Sequence, residues 1–343
     1  MKAAVYLSAG IGDGMMCAPL VRRLVAKGME TTILTSSNFG GAVVFQEYFS
    51  EVTVIDLRNN LSEHLLRLFR AYDYIFLDRA SASWKNIGLA ALMSRKLVVL
   101  RTTSISRFAW IRFIAMQENL HYMTQVCQLF EPEFVQADLD VISIPNITKR
   151  SKSDNQRKQI NLVLQISAAN ALVEYKNWPM GHWIEFLKLC EMRYPQIKIN
   201  ILGDKDEEDL ARTITQSGLS NVESQVGKTT LAEAYQCIAT SDAYLGIDSG
   251  LMHVAVAMGK PTFTIWGPSD NEHLGYEGFE KGRHLDVLKE IGCRPCESLI
   301  RPNTSRFKRP QDCPDHACIK ELDFLPVFNK FTAFVEKNLM NTI

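Results

Sequence analysis

Short apolar runs typical of β-strands alternate along the chain with longer segments of helical periodicity, and this alternation restricts the possible folds more than any other feature. Each gap between runs has room for one helix, which a parallel pair of strands needs as its crossover. After the first run, apolar residues recur at helical spacing from Met16 to Val25 and stop at Gly28, which predicts a helix. The strands predicted in the first half are residues 3–7, 31–35, 52–57, 74–77 and 97–100.

The segment 145–159 interrupts this alternation. It has a single large apolar residue, Ile147, and many charges, so it cannot bury enough surface to pack and is interpreted as an interdomain linker. A chain of 343 residues is also too long for one ordinary core. We therefore expect an α/β protein with two doubly wound, Rossmann-like domains, residues 1–150 and 151–325, and a C-terminal helix, 326–343, that packs back on the body. Beyond the linker, strands are predicted at 161–166, 197–202, 243–247 and 262–266, and helices at 180–193, 207–217 and 231–240.

Charge and hydropathy exclude several classes of function. The 38 Lys and Arg residues balance the 38 Asp and Glu residues, so no global field favours nucleic acid, and local groups must hold any anionic ligand. The N-terminal apolar run ends too soon for a signal peptide, and no window approaches the roughly 20 apolar residues of a membrane span. We expect a cytoplasmic protein with at most peripheral contact with the inner face of the inner membrane.

The turn after the predicted strand 243–247 has the composition of an anion site. Asp248-Ser249-Gly250 opens a helix, whose first backbone N–H groups have no partner within the helix. Those donors, the positive end of the helix dipole and the side chains of Ser249 and His253 would converge on an anion such as a diphosphate. Such a site lies outside the carboxyl end of its strand, where open parallel sheets bind ligands.

Two further motifs precede this turn. Gly-Ile-Gly-Asp at 10–13, followed by Pro19, comes directly after the first strand, and Lys-Asn-Trp-Pro at 176–179, followed by Trp183, lies early in the second half. Together the three motifs resemble glycosyltransferase family 9, the heptosyltransferases that use ADP-heptose to build lipopolysaccharide core, in residue types, order and spacing. The resemblance covers about two thirds of the chain. It implies the GT-B fold, in which two Rossmann-like domains face a cleft, and a transfer that inverts configuration.

The resemblance places the family's catalytic aspartate on Asp13. A carboxylate on a Gly-rich turn at the carboxyl edge of the sheet can take the proton of an acceptor hydroxyl as that oxygen attacks the anomeric carbon. An aspartate at the start of a helix also commonly caps it, and the two roles are compatible. Asp13 is therefore interpreted as the general base.

The resemblance also implies a donor site. Lys176 would bind a phosphate as a flexible point charge, whereas Asp248 would fix its turn or bind sugar or ribose hydroxyls, because a carboxylate repels a diphosphate. Without the motifs, Lys176 would be interpreted as a solvated lysine, His253 as a core histidine and Glu207 as part of an exposed acidic helix start. The residues implied to bind the nucleotide-sugar donor are Ser167, Lys176, Glu207, Thr229, Asp248, Ser249, Gly250 and His253.

Acceptor recognition is where the chain departs from the family. Relatives carry Arg or Lys just before the Gly-Asp pair, whereas the residues there are uncharged. Arg79 and Lys85 match the place where relatives present basic groups to the acceptor. The segment 101–114 combines three arginines with aromatic residues. It either touches a membrane or an amphiphilic acceptor or, as the favoured interpretation, forms a helix that packs Trp110 and Ile114 inward.

Two close pairs of cysteines mark the loop 293–318. They are Cys293, Cys296, Cys313 and Cys318. Pairs of thiolates at this spacing are typical of a tetrahedral zinc or iron site, in which His316 would be able to replace one sulfur. Some members of the resembled family carry a similar cysteine finger, which binds iron in those that modify autotransporter proteins. The spacing predicts a structural metal away from the donor motif, and the alternative is four reduced thiols. Catalysis is expected to need no cofactor, since a helix dipole and a lysine stabilise the leaving diphosphate.

We therefore expect an inverting glycosyltransferase that moves heptose, or a related sugar, from ADP-heptose to a lipopolysaccharide core or another cell-envelope glycan. Transfer to a protein hydroxyl is an alternative, favoured by the cysteine pairs and the missing basic residue. A non-catalytic sugar-nucleotide-binding protein would keep the Asp248 turn but have no use for Asp13. A dinucleotide-dependent oxidoreductase is disfavoured, because Gly10, Gly12 and Gly14 have the wrong spacing for its glycine motif.

Overall fold

The computed structural model shows two compact units, Met1–Asn146 and Ile147–Ile343. It describes residues 1–8, 10–36, 41–58, 66–101, 109–142, 144, 159–168, 175–280, 282–300 and 305–340. Nearly all of the predicted linker, residues 145–158, lies outside these residues, as do residues 102–108 of the arginine-rich segment.

Each unit contains one six-stranded, fully parallel sheet. The strands of the first are β1 (Lys2–Leu7), β2 (Glu30–Thr35), β3 (Val52–Asp56), β4 (Tyr72–Leu77), β5 (Ser94–Arg101) and β6 (Ile111–Ala115). Those of the second are β7 (Ile160–Gln165), β8 (Ile197–Ile201), β9 (Val222–Ser224), β10 (Ala243–Ile247), β11 (Thr262–Trp266) and β12 (His284–Leu288).

The two sheets have the same topology. Their strand orders are β3-β2-β1-β4-β5-β6 and β9-β8-β7-β10-β11-β12, so the chain reverses its direction of travel between β1 and β4 and again between β7 and β10. Right-handed crossovers in this order place helices on both faces of a sheet. The predicted pair of doubly wound domains is confirmed. Each reversal is also a place where the carboxyl ends of two neighbouring strands diverge and leave a crevice.

The helices between and after these strands are mostly short. They are α1 (Ile11–Ala26), α2 (Gly41–Tyr48), α3 (Trp84–Met93), α4 (Tyr122–Cys127), α5 (Met180–Arg193), α6 (Glu208–Thr215), α7 (Leu231–Thr240), α8 (Gly250–Ala257), α9 (Asn271–Leu274), α10 (Glu297–Ile300), α11 (Ala317–Lys320) and α12 (Phe324–Val335). Single 3₁₀ turns lie at Gln136–Asp138, Lys205–Glu207 and Pro310–Asp312, and a π-helical turn lies at Glu336–Met340.

An aromatic cluster organises the core of the second unit. The ring of Trp178 meets that of Trp183 edge to face at 4.9 Å between centroids, and Phe186 packs on Phe331 of α12 at 5.2 Å. The indole nitrogen of Trp178 donates to the carbonyl oxygen of Leu322, at 2.7 Å. Because edge-to-face pairs and a satisfied indole fix ring orientation, the segment that carries Lys176 is anchored to both α5 and the chain just before α12.

The interpretation of residues 101–114 as a helix is wrong for the part that the structure describes. Residues Ile111–Ala115 form the edge strand β6, which pairs with β5. Trp110, expected to pack inward, is 44% exposed. The apolar residues of this short segment fit a strand as well as a helix, because periodicity does not distinguish the two over so few residues. Among the described residues, no helix is long and apolar enough to cross a membrane.

Candidate active site

In the first unit, Asp13 lies in the first turn of α1, at the reversal between β1 and β4. The backbone N–H of Gly10, the N-cap residue of α1, donates to Oδ2 of Asp13, at 3.1 Å, which is the return half of a capping box, because glycine has no side chain to complete it. Asp13 therefore caps its helix, and the cap fixes the carboxylate at the carboxyl edge of the sheet. Its catalytic role stays a prediction.

A buried carboxylate that the sequence reasoning missed stands at the end of the neighbouring strand. Asp78 follows β4 directly and is 1% exposed. Its carboxylate accepts from the backbone N–H groups of Ala80 and Ser81, at 3.2 and 3.1 Å, and from the hydroxyl of Tyr122, at 3.0 Å. Burial raises the pKa of Asp78 above its ordinary value, although these hydrogen bonds oppose the rise. An aspartate directly after a buried strand was the signal available in the sequence.

Asn86 connects the ends of β1 and β4. Its Nδ2 atom donates to Oγ of Ser8, at 2.8 Å, and to the carbonyl oxygen of Ser81, at 2.9 Å. The N–H of Ser8 in turn donates to Oγ of Ser81, at 3.0 Å. This network fixes the backbone that precedes Gly10 and Asp13, so Asn86 and Ser81 support the catalytic candidate without touching it.

The predicted acceptor-binding residues, Arg79 and Lys85, are exposed. Neither side chain has a carboxylate partner among the ion pairs of the described residues. Beside Lys85, the ring of Trp84 is covered on one face by the guanidinium of Arg101, at 4.5 Å, yet Trp84 remains 66% exposed. Arg79, Trp84 and Lys85 follow β4, and Arg101 is the last residue of β5. A cationic and aromatic surface therefore lies at the carboxyl edge of the first sheet, as Asp13 does.

In the second unit, Lys176 and Asp248 form a salt bridge, with 2.6 Å between Nζ and Oδ2. Burial alone would raise the pKa of the Asp248 carboxyl. The charge and hydrogen bond of Lys176, together with His253 and a hydrogen bond from Ser269, outweigh burial and hold that pKa below its ordinary value. Asp248 follows β10 at the reversal between β7 and β10. The pair thus joins two of the motifs at the carboxyl edge of the second sheet.

Ser249 and Gly250 open α8, and the hydroxyl of Ser249 is hydrogen-bonded within the protein. It donates to the side-chain oxygen of Gln165 and lies 3.1 Å from the hydroxyl of Tyr244, and it makes no capping hydrogen bond. Two buried partners, on β7 and β10, engage this hydroxyl, and its role at an anion stays a prediction. The start of α8 at Gly250 can offer an anion its backbone N–H groups.

His253 lies one turn into α8 and is 7% exposed. Its Nδ1 atom and the hydroxyl of Tyr276 are 2.8 Å apart. Burial is the main reason why the pKa of His253 falls to about 4, so the imidazole is neutral at pH 7. It can act as a hydrogen-bonding group, and not as a cation, toward a phosphate.

Glu207 is the most unusual of the remaining candidates. It is 3% exposed, and both carboxylate oxygens lack a hydrogen-bond partner among the described residues. Burial, with smaller contributions from Asp204 and Asp206, raises the pKa of Glu207 to about 8. The absence of a side chain at Gly203 makes room for this carboxyl, since a Cβ atom there would lie 1.9 Å from Oε2 of Glu207. Interpreting Glu207 as part of a solvated helix start is therefore wrong.

The last two donor candidates flank this carboxyl along the carboxyl edge. Ser167 follows β7, is 4% exposed and donates to the carbonyl oxygen of Ala168, at 3.3 Å. Thr229 is half-buried just before α7. Beside the Lys176 segment lies a cavity of about 510 Å³, whose walls include Tyr175, Trp178, Leu210, His316 and Lys320.

The structural metal that the cysteine spacing predicts stays a prediction. All four cysteines are free thiols, and no three His, Cys, Asp or Glu side chains of the described chain are arranged to hold a metal ion. The four residues 301–304, between the two pairs, lie outside the described part. The loop was expected to lie away from the donor motif, but it contacts the end of that motif. The N–H of Cys296 donates to the carbonyl oxygen of Pro268, at 2.8 Å.

A family model described as glycosyltransferase family 9 (heptosyltransferase) matches residues 92–299, more than half of the chain. The chain belongs to glycosyltransferase family 9. The matched segment holds every donor-site candidate from Ser167 to His253. It leaves out Asp13, Arg79 and Lys85 and also the second cysteine pair, Cys313 and Cys318.

Comparison with individual proteins agrees with this assignment. Lipopolysaccharide heptosyltransferase 1 of Escherichia coli (strain K12) is 30% identical over 130 residues, which are 38% of this chain and 37% of that protein, so the aligned part spans well under half of the relative. The solved structure of E. coli ADP-heptose lipopolysaccharide heptosyltransferase II covers 98% of this chain and 99% of its own, with a TM-score of 0.70 and 17% identity. E. coli heptosyltransferase WaaC with ADP covers 98% and 100%, with a TM-score of 0.66 and 16% identity. At such identities the structural likeness establishes the fold, and it confirms the predicted GT-B class.

Proposed function

We propose that this family 9 protein transfers heptose from ADP-heptose to a lipopolysaccharide core or another cell-envelope glycan, with inversion at the anomeric carbon. The observation that carries the proposal is the Lys176–Asp248 pair at the start of α8. It sets an ammonium group, a helix N-terminus and a buried carboxylate together at the carboxyl edge of a doubly wound sheet. This combination suits a sugar diphosphate, which needs cationic and N–H donors for phosphate and acceptors for hydroxyls.

The donor is held in this proposal by three kinds of group. The ammonium group of Lys176, which is hydrogen-bonded to Asp248, brings its positive charge to a phosphate oxygen, and the backbone N–H groups at Gly250 face the same anion. Glu207 accepts hydrogen bonds from the hydroxyls of the ribose, because its two oxygens are buried without partners. A vicinal diol supplies the two donors that such a carboxylate lacks. The presence of ADP in a structural neighbour supports adenine as the base.

The chemical step uses Asp13. The acceptor oxygen attacks the anomeric carbon and forms the new glycosidic bond, while the bond from that carbon to the β-phosphate oxygen breaks and ADP leaves with the electron pair. Asp13 takes the proton of the acceptor hydroxyl. The hydrogen bond from the N–H of Gly10 to Oδ2 of Asp13 holds this carboxylate in place.

The acceptor is proposed to be anionic and saccharide-like. Arg79 and Lys85 are exposed cations beside Trp84, whose ring is 66% exposed at the same sheet edge as Asp13. Cations bind phosphate or carboxylate groups, and an exposed aromatic face packs against a sugar ring. The same surface would allow peripheral contact with anionic lipid at the inner face of the inner membrane.

Calorimetry and a coupled assay test this function together. The protein should bind ADP more tightly than UDP or GDP. It should also release ADP from ADP-heptose many times faster when a core oligosaccharide acceptor is present than with water alone. Binding of ADP without any acceptor-dependent release would leave a sugar-nucleotide-binding protein as the better description.

A further inference from the structure

Arg294, between the first two cysteines, is hydrogen-bonded to the loop that follows β11. Its Nε atom donates to the carbonyl oxygen of Gly267, at 2.5 Å, and one terminal nitrogen donates to the carbonyl oxygen of Ser269, at 3.0 Å, and approaches Oδ1 of Asn271, at 3.5 Å. Two side-chain nitrogens thus bind three successive parts of one loop. The planar guanidinium suits this task, since its donors are fixed in a fork.

The same loop, residues 267–276, is in contact with the donor-site candidates at two points. At its start, the parallel register of β10 and β11 places Gly267 beside the Asp248 turn, and the N–H of Asp248 donates to the carbonyl oxygen of Ile265, at 3.2 Å. At its end, the hydroxyl of Tyr276 is 2.8 Å from Nδ1 of His253. A shift of this loop would therefore move both Gly267, which lies beside the Asp248 turn, and Tyr276, which contacts His253.

The chain around the second cysteine pair, Cys313 and Cys318, also contacts this loop. A Cβ atom on Gly267 would lie 3.3 Å from Cβ of Ile319 in α11, so the backbone and this helix are in close contact. The ring of His316 stacks on Tyr175, next to Lys176, at 6.3 Å between centroids. The cysteine segment thus contacts the donor site on the Asp248 side and on the Lys176 side.

We infer that Arg294 is a positioning residue for the donor site, which sets the loop 267–276 so that Tyr276 orients His253 and the Asp248 turn before α8 keeps its position. The inference rests on the proposed function, since it concerns binding of the nucleotide diphosphate. Arg294 touches no donor atom in this account. It acts through the carbonyl groups of Gly267 and Ser269.

The chain offers a matched control at the opposite end of α8. Arg283 is also half-buried and also binds a backbone carbonyl, that of Gly259, which follows α8, and it pairs with Glu280 at 3.2 Å. Gly259 and Arg283 precede β11 and β12, so this contact lies at the amino edge of the sheet. Arg283→Ala removes a comparable contact away from the donor site.

The test is calorimetric titration with ADP, with melting temperatures measured on the same samples. Arg294→Ala should weaken ADP binding at least about tenfold, and Arg294→Lys should fall between this variant and wild type, because an ammonium group cannot span two carbonyls in the same fork. Arg283→Ala should bind ADP with an affinity within about twofold of wild type, even if its melting temperature falls as much as that of Arg294→Ala. Tyr276→Phe should weaken binding too, and the Arg294→Ala/Tyr276→Phe double variant should lose less than the product of the two single effects, since both act on His253.

Each other result counts against the inference. Equal losses of ADP affinity in Arg294→Ala and Arg283→Ala would make Arg294 a general stabilising residue, and wild-type affinity in both Arg294→Ala and Arg294→Lys would remove it from the donor site. If Arg294→Ala does not fold, the ADP affinities of Arg294→Lys, Tyr276→Phe and the double variant Arg294→Lys/Tyr276→Phe decide whether the inference holds. Wild-type protein that fails to bind ADP would overturn the proposed function itself, which distinguishes that failure from a failure of this inference alone.

Discussion

The ammonium group of Lys176 lies 2.6 Å from the carboxylate of Asp248, and the two side chains are 21% and 6% exposed. One residue comes from the Lys-Asn-Trp-Pro motif and the other from the turn after β10, which are 72 positions apart in the chain. The pair therefore links the two motifs of the second unit in one buried ionic contact. Both the stability of the unit and its affinity for a diphosphate should depend on it.

We expect Lys176→Met to destabilise the protein by about 3 kcal/mol, because it leaves a buried carboxylate without its partner. The double variant Lys176→Met/Asp248→Asn should recover most of that stability but not ADP binding, which should stay weaker by about 1 to 3 kcal/mol in both variants. Lys188→Met, which removes an exposed pair with Glu185, serves as the control and should change neither quantity. Denaturant unfolding and calorimetry measure the two effects. Full recovery of ADP binding in the double variant would contradict a phosphate-binding role for Lys176.

Asp13→Asn should lower turnover at least about a hundredfold and leave affinity for ADP unchanged, as expected for loss of a general base. The side-chain oxygen of asparagine can still accept the hydrogen bond from the N–H of Gly10, so α1 should keep its stability. Asp323→Asn alters another helix cap, at the start of α12, and should leave turnover unchanged. Turnover of Asp13→Asn within about tenfold of wild type would remove Asp13 from the mechanism.

Glu207 makes the unfolding free energy depend on pH. Burial raises its pKa from 4.5 to about 8, so between these values the folded protein holds a proton that the unfolded chain releases. The stability that this group contributes is therefore complete below pH 4.5 and is lost as pH rises toward 8. Glu207→Gln should nearly match wild type near pH 5 and exceed it by about 3 to 4 kcal/mol near pH 8. Glu208→Gln, at the next and less buried position, should show no such trend.

The same carboxyl should couple donor binding to proton release. If ribose hydroxyls donate to the carboxylate form, ADP binding at pH 7 must expel the proton that Glu207 holds. Calorimetry in buffers of different ionisation enthalpy should then show net proton release with wild type and none with Glu207→Gln. Equal proton release by the two proteins would exclude Glu207 from the nucleotide site.

His253 should make the unfolding free energy depend on pH in the opposite direction to Glu207. Burial lowers its pKa from 6.5 to about 4, so the folded protein keeps the imidazole neutral while the unfolded chain takes up a proton. Stability from this group is therefore present above pH 6.5 and is lost as pH falls toward 4. His253→Asn should flatten the loss of unfolding free energy between pH 6.5 and pH 4.5. An unchanged slope in that variant would show that other groups, such as His284 with its pKa of about 3, account for the acid sensitivity.

The sequence predicted the architecture well because strands and helices leave periodic patterns that crossover connections must follow. It failed at β6, where a short edge strand gives no distinctive period, and it missed Asp78, which has no motif around it. It grouped Lys176 with Asp248, which the structure brings into contact, yet it did not predict the partners of the Ser249 hydroxyl, because spacing says nothing about the direction of a side chain. Nothing in the acidic run around Glu207 indicates that Gly203 makes room for a buried carboxyl. Metal content stays open to elemental analysis of protein purified under reducing conditions.

The measurement that tests the central claim most directly is mass spectrometry of the acceptor after incubation with purified protein and ADP-heptose. Lipopolysaccharide core fragments of increasing length and candidate acceptor proteins serve as parallel substrates, and Asp13→Asn is the matched control. We expect one core fragment to gain the mass of a single heptosyl group with wild type, in step with release of ADP, and to stay unmodified with Asp13→Asn. Release of ADP with no glycan product, or the same product from both proteins, would contradict the account.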